Sequence, residues 1–273
     1  MAHNSIWQTS YTWSKNISNM ETDYPNQNDG IPDLYNPRAS RGLSDFDRTH
    51  VFSSSLVYYL PTLAGRNGFV KGVAGGWQTS TVVSLATGNA LTITGSLQGT
   101  CLTGTPPNCP TLSDPWGILG DGATQQFGVR PLRTGQPCFS GNKLQWINPA
   151  AFTFNGYVVG QAPQSGIGQC PGPGIQNVDF SLNKNWSLPG HLFGENPQLQ
   201  FRMEFFNLFN HPMFRFGGSS ADSNSNLSFV ATGGQVVNGV IQGTKLVNGS
   251  FGSTPFLSNL GNREIQYALK FVF

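Results

Sequence analysis

The last eleven residues, Arg263-Glu264-Ile265-Gln266-Tyr267-Ala268-Leu269-Lys270-Phe271-Val272-Phe273, constrain the fold more than any other stretch. Ile265, Tyr267, Leu269, Phe271 and Phe273 take every second position. Glu264, Gln266, Ala268 and Lys270 stand between them, and only Val272 departs from that polar or small character. A period of two is a strand with one apolar and one polar face. The apolar face must be covered, either by a second sheet or by lipid. The alternation alone does not choose.

Composition narrows the setting. Only 10% of the 273 residues are charged, while Gly numbers 34 and aromatics reach 12%. Low charge with abundant Gly, Asn, Ser and Thr suits an all-β chain with long polar loops. A net charge of +2 gives no reason to expect a nucleic-acid partner. No apolar run reaches the roughly 18 residues of a spanning helix. That excludes a helical membrane protein and leaves a barrel open.

The first residues, Met1 to Trp7, show neither a charged n-region nor an apolar h-region. Read alone they suggest a cytoplasmic chain; the alternative is a piece whose export signal lies upstream. Cys101, Cys109, Cys138 and Cys170 all fall in one Pro/Gly-rich segment. An even number confined to a loop points to disulfides in an oxidising compartment, with free thiols as the alternative. The spacings match no zinc site, and no cofactor or metal is expected.

Taken in order, Ile6 to Ser14 is the first strand, with Trp7, Thr9, Tyr11 and Trp13 on one face. Lys15 to Arg48 is polar and aperiodic. Its Asp29-Gly30-Ile31-Pro32-Asp33 resembles half a calcium loop but offers too few oxygen ligands, and it is read as a turn. Thr49 to Leu60 is the second strand, with Phe52, Ser54, Leu56, Tyr58 and Leu60 aligned. The third runs from about Gly75, and Ala90 to Thr94 continue it past a kink at Gly88-Asn89. Gly95 to Gly174 reads as irregular, apart from local structure around Trp146 to Phe152 and a short helix starting at Pro149.

Alternation resumes at Ile175, with Val178, Phe180, Leu182, Trp186 and Leu188 on one face. Lys184 falls on that apolar parity. It is expected either to snorkel at an interface or to mark a register-shifting bulge. Gln198 to Phe209 is the fifth strand and Arg263 to Phe273 the sixth.

Connection lengths then choose between sheet and lipid. Long and short connections alternate along the whole chain, so in an antiparallel meander every long loop lies at one end. Outer-membrane barrels are built this way, with long extracellular loops and short periplasmic turns. A sandwich has no reason to segregate loop lengths. The expected fold is all-β: an antiparallel meander of about six strands forming part of a transmembrane outer-membrane barrel. Trp7, Trp13, Tyr58, Trp77, Trp186 and Tyr267 are expected towards strand ends, as aromatic girdles. Asp179, Arg202 and Glu204 are expected to face a wet lumen, since a dry core would charge heavily for them.

Several collinear stretches carry a resemblance. They are Tyr11-Thr12-Trp13-Ser14-Lys15, Ser44-Asp45-Phe46-Asp47-Arg48-Thr49-His50, Gly75-Gly76-Trp77-Gln78, Asn148-Pro149-Ala150-Ala151-Phe152 and Asn177 to Lys184. Leu199-Gln200-Phe201-Arg202-Met203-Glu204-Phe205-Phe206-Asn207-Leu208-Phe209-Asn210-His211-Pro212 and the closing strand complete the set. Together they make the chain similar to the C-terminal barrel portion of TonB-dependent outer-membrane receptors, in particular the Oar-like type. The resemblance implies a plugged barrel of about 22 strands, energised through the TonB complex. It implies uptake of a bulky ligand of siderophore, vitamin or glycan type. It makes Tyr267, Leu269, Phe271 and Phe273 a signal read by the barrel-assembly machinery. On this reading, residues 1–273 are the terminal part of a longer receptor, without plug or TonB-contacting segment, and outer-membrane lipid is a partner.

No nucleophile motif, HExxH, P-loop or GxGxxG occurs, and no enzyme is expected. Asp45, Asp47, Arg48 and His50 form the densest ionisable cluster, read as a hydrogen-bonded rim where a loop meets the second strand. Arg202 and Glu204, two apart on one face, are read as a lumenal ion pair or a plug contact. A non-transporting adhesin or structural surface protein, and a soluble secreted sandwich, are the competing readings.

Overall fold

A computed structural model gives the structure for residues 4–19, 36–102, 130–161, 165–190, 197–216, 227–247, 249–253, 256–257 and 261–272. Six strands form one sheet in chain order: β1 (Ser5–Trp13), β2 (His50–Tyr59), β3 (Trp77–Ala86), β4 (Ile175–Ser187), β5 (Gln198–Phe206) and β6 (Glu264–Val272). Every pairing is antiparallel and between chain neighbours. The sheet is open, with β1 and β6 at its edges.

Register carries the period-two pattern across all six strands. Tyr11 stands opposite Phe52, Phe52 opposite Leu85, Phe180 opposite Phe205 and Phe205 opposite Ile265. Directly opposed residues project to the same side, so one wall of the sheet is mainly apolar. Polar groups on that wall satisfy one another: Trp7 Nε1 donates to Ser54 Oγ at 2.9 Å, and Thr9 Oγ1 lies 2.9 Å from the same oxygen. Tyr267 corrects the girdle expectation. It lies in the middle of β6, whereas Trp13, Tyr58, Trp77 and Trp186 do lie at or next to strand ends.

The fifth strand is shorter than its apolar run. It stops at Phe206 because Asn207 takes a left-handed φ of 49°, which ends pairing and releases Phe209 to solvent. No bulge occurs at Lys184, which stays in register opposite both Trp77 and Phe201. The β2–β3 connection contains an element the period-two pattern does not show, the helix α1 (Gly68–Ala74). Asn67 caps it, its side chain accepting from the Val70 amide at 2.9 Å.

The buried core lies outside the sheet. Ile93, Ile147, Phe152, Phe154, Tyr157, Phe229, Ile241 and Phe251 are all 4% exposed or less, and all belong to the second and third long connections. The described part of the segment after β3 is therefore far from irregular. Ala90–Leu91 pairs with Cys170–Pro171 in the register of β3 with β4, so that ladder resumes beyond the glycine break. There Gly88 is required: a Cβ would stand 1.9 Å from the Gly172 carbonyl oxygen. Thr94–Gln98 then runs parallel to Ser228–Thr232, joining the two long connections. The short helix does begin at Pro149, with Asn148 as its cap.

Candidate functional site

On the polar wall, Arg202 and Glu204 lie 3.8 Å apart, with Arg202 62% exposed. An ion pair this exposed contributes little to stability, so the two charges remain open to contact from the solvent on that side. Asp179 is more constrained. Asn177 Nδ2 donates to Asp179 Oδ2 at 2.9 Å, and the Asn207 amide donates to Asp179 Oδ1 at 2.9 Å. Asp179 thus ties the loop end of β4 to that of β5.

The cluster at residues 45–50 does not converge on one point. Asp47 is buried and holds the first long loop: its Oδ1 accepts from the Asn16 amide and its Oδ2 from Thr49 Oγ1 at 3.1 Å. Asp45 Oδ1 accepts from Thr92 Oγ1 at 3.4 Å, linking the first long loop to the second. The Arg48 carbonyl accepts from Ser14 Oγ at 3.1 Å. His50 turns to the apolar wall, its Nδ1 2.8 Å from Tyr11 Oη with the rings stacked. These contacts fasten loop to strand.

Above that rim the long connections build a cap. Cys138 and Cys170 are disulfide-bonded, and Cys101 is disulfide-bonded as well. Cys109, the Asp29 to Asp33 segment and Phe273 lie outside the described residues. Arg133 braces the bridge, donating to Cys138 Sγ, to the Gln169 carbonyl at 2.8 Å and to the Gln136 carbonyl at 2.8 Å. Its guanidinium stands 5.2 Å over the Phe152 ring, and burial pushes its pKa below the ordinary arginine value. Buried Arg130 donates to the Ser165 carbonyl at 2.7 Å and to Ser40 Oγ at 3.0 Å, drawing in the first loop. All three long loops therefore share one folded cap.

The apolar wall carries the opposite character. Trp7 is 74% exposed, Leu269 68% and Tyr267 66%. Among the described residues no second sheet lies over them. A soluble domain rarely exposes so large a contiguous apolar surface, whereas a barrel wall presents it to hydrocarbon. The chain matches the family model of the outer membrane beta barrel domain over residues 1–266. The chain belongs to that family. No curated protein and no solved structure matches it. As an outer-membrane barrel domain of a Gram-negative bacterium, it has lipid as the solvent of its apolar wall. A secreted sandwich no longer accounts for the exposed face.

At two residues of this barrel wall the partners escape sequence reasoning. Asn207 is one: buried, it donates to the His211 carbonyl at 2.9 Å and the Gly261 carbonyl at 2.8 Å, and accepts from the His211 amide at 2.9 Å. Its only signal is an Asn at the end of an apolar strand, a common site for left-handed φ. The other is Lys184, which is 4% exposed on the apolar wall. It donates from Nζ to the Gly75 and Val73 carbonyls and lies 5.3 Å from the rings of both Trp77 and Trp186. Neither snorkelling nor a bulge is involved, because α1 covers it.

Proposed function

We propose that this barrel domain is the C-terminal part of a TonB-dependent outer-membrane transporter of the Oar-like type, taking up a bulky siderophore, vitamin or glycan. The observation that carries the reading is the polar wall, where an exposed Arg202–Glu204 pair faces the side opposite to lipid. Charged groups there are suited to contact with a plug or passing ligand. The collinear stretches from Tyr11 to the closing strand support the same assignment. In this reading the TonB complex acts through a plug domain, and the closing strand is read by the barrel-assembly machinery.

The test is made in the native organism. Disrupting the locus is expected to abolish accumulation of one ligand class among siderophores, cobalamin-type vitamins and oligosaccharides. Collapsing the proton gradient in the parent strain should abolish the same uptake. Undiminished, gradient-independent uptake of every class would exclude transport. The folded, disulfide-tied cap favours a second reading, a surface protein that makes contacts without transport. That reading expects lost attachment or envelope integrity in the same mutant, with uptake unchanged.

A further inference from the structure

The β2–β3 connection lies at the end of the sheet where the connections are short, and α1 packs onto the apolar wall there rather than hanging free. Three side chains of that wall donate to carbonyls at its C-terminal end. Trp77 Nε1 reaches the Val73 carbonyl at 2.8 Å, Trp186 Nε1 reaches the Gly72 carbonyl at 2.7 Å, and Lys184 Nζ reaches Val73 and Gly75. Helix C-terminal carbonyls lack intrahelical partners and carry partial negative charge, so a cation and two indole donors suit them. Gly75 passes so close to Thr62 that a Cβ would stand 2.4 Å from the Thr62 carbonyl oxygen, which fixes where the helix leaves the wall.

What the helix presents outward is apolar. Phe69 is 79% exposed and Val73 54%, and the two lie four apart on one helix face. Lys71 falls on the opposite arc by helical spacing. The surface under this helix is the lipid-facing wall of an outer-membrane barrel, so the helix's outer face is continuous with an established lipid surface. Trp77 and Trp186 flank it, and indoles with one polar end favour the boundary between headgroup and chain.

We propose that α1 is an in-plane membrane-interface helix of the barrel, with Phe69 and Val73 inserted among the upper acyl carbons of the periplasmic phospholipid leaflet. Lys184, with Trp77 and Trp186, is the clasp that holds it. The clasp explains a cation on a hydrocarbon-facing strand: its ammonium is solvated by helix carbonyls and two aromatic faces instead of water. This rests on the barrel's membrane assignment and adds a depth and an orientation to one element.

The experiment uses the full chain in phospholipid bilayers. A fluorophore sensitive to environment is attached at Phe69→Cys, with Leu269→Cys and Ala268→Cys as references for lipid wall and polar wall. Quenching is read with lipids brominated near the headgroup or near the chain end. The Phe69 probe should be quenched at least twofold more by the shallow bromine than by the deep one. Adding Lys184→Met should move that probe towards the Ala268 response while leaving the Leu269 response unchanged. A Phe69 probe open to aqueous iodide and blind to both lipids, beside a quenched Leu269 probe, would overturn the proposal and leave the barrel standing. Quenching strongest with the deep bromine would overturn the interfacial depth. If the Leu269 probe itself is unquenched, the membrane assignment has failed instead.

Discussion

Asn207 shows how much one side chain can hold at the loop end of the sheet. It adopts φ 49°, donates its amide to Asp179, and spends its carboxamide on His211 and Gly261. The motif continues the job, since Asn210 Oδ1 accepts from the Arg263 amide at 3.1 Å, at the start of β6. Asn207→Ala removes the side-chain bonds and places an L-alanine where asparagine is better tolerated. With net values of about 1 kcal/mol for each of the three bonds and a left-handed penalty of similar size, the loss should be about 4 kcal/mol. Urea unfolding followed by heat-modifiable gel migration measures it, and a loss below about 1 kcal/mol would show the corner to be unimportant. Gly88 supplies a second case at this scale. Gly88→Ala sets a methyl against the Gly172 carbonyl and should loosen the cap from β3 and β4, seen as new protease cleavage near residues 87–91.

Among the elements, the six strands were readable from period two alone, because each has one face in hydrocarbon and one in water. Their ends were less readable. Phe209 continues the apolar parity of β5 but lies beyond a backbone turn that hydropathy does not encode. Lys184 violated the pattern for a reason located more than 100 residues earlier in the chain, in carbonyls of a helix too short to register as periodic. The ionisable cluster at residues 45–50 was dense in sequence yet divergent in space, since consecutive residues entering a strand point to opposite sides. Facing is directly testable on β6. Leu269→Arg places a charge on the lipid wall and should cost about 2–4 kcal/mol of folding free energy if near the midplane. Ala268 stands opposite Arg202, so Ala268→Glu gains an opposed charge and should be tolerated. Equal losses for the two variants in a bilayer refolding titration would show the face assignment to be wrong.

At the scale of the whole molecule, two bodies of different chemistry share one chain. The sheet gains its stability from lipid, and the cap from a water-excluding aromatic cluster in which Phe229 and Phe251 meet edge to face at 5.2 Å. That cluster was illegible beforehand because its members come from connections with no period, brought together by the parallel pairing of Thr94–Gln98 with Ser228–Thr232 and by bridges such as Val158 to Val240 and Gln145 to Ser253. Cys138 and Cys170 close a span of 32 residues, and a bridge of that span is worth about 3–4 kcal/mol by chain entropy. Replacing both with Ser should expose cap segments to protease while the strands stay protected in the membrane; simultaneous loss of both would show one cooperative unit. The ladder of β3 and β4, resumed beyond Gly88 and clamped at Cys170, has a mechanical consequence. A pull on the cap from outside the cell reaches the barrel through two strands at once, along their length. The hydrogen bonds that β3 makes to β2, and β4 to β5, are then loaded together in shear instead of being opened one after another from an end. A cap mounted on that stem can bear tension without unzipping the wall that carries it.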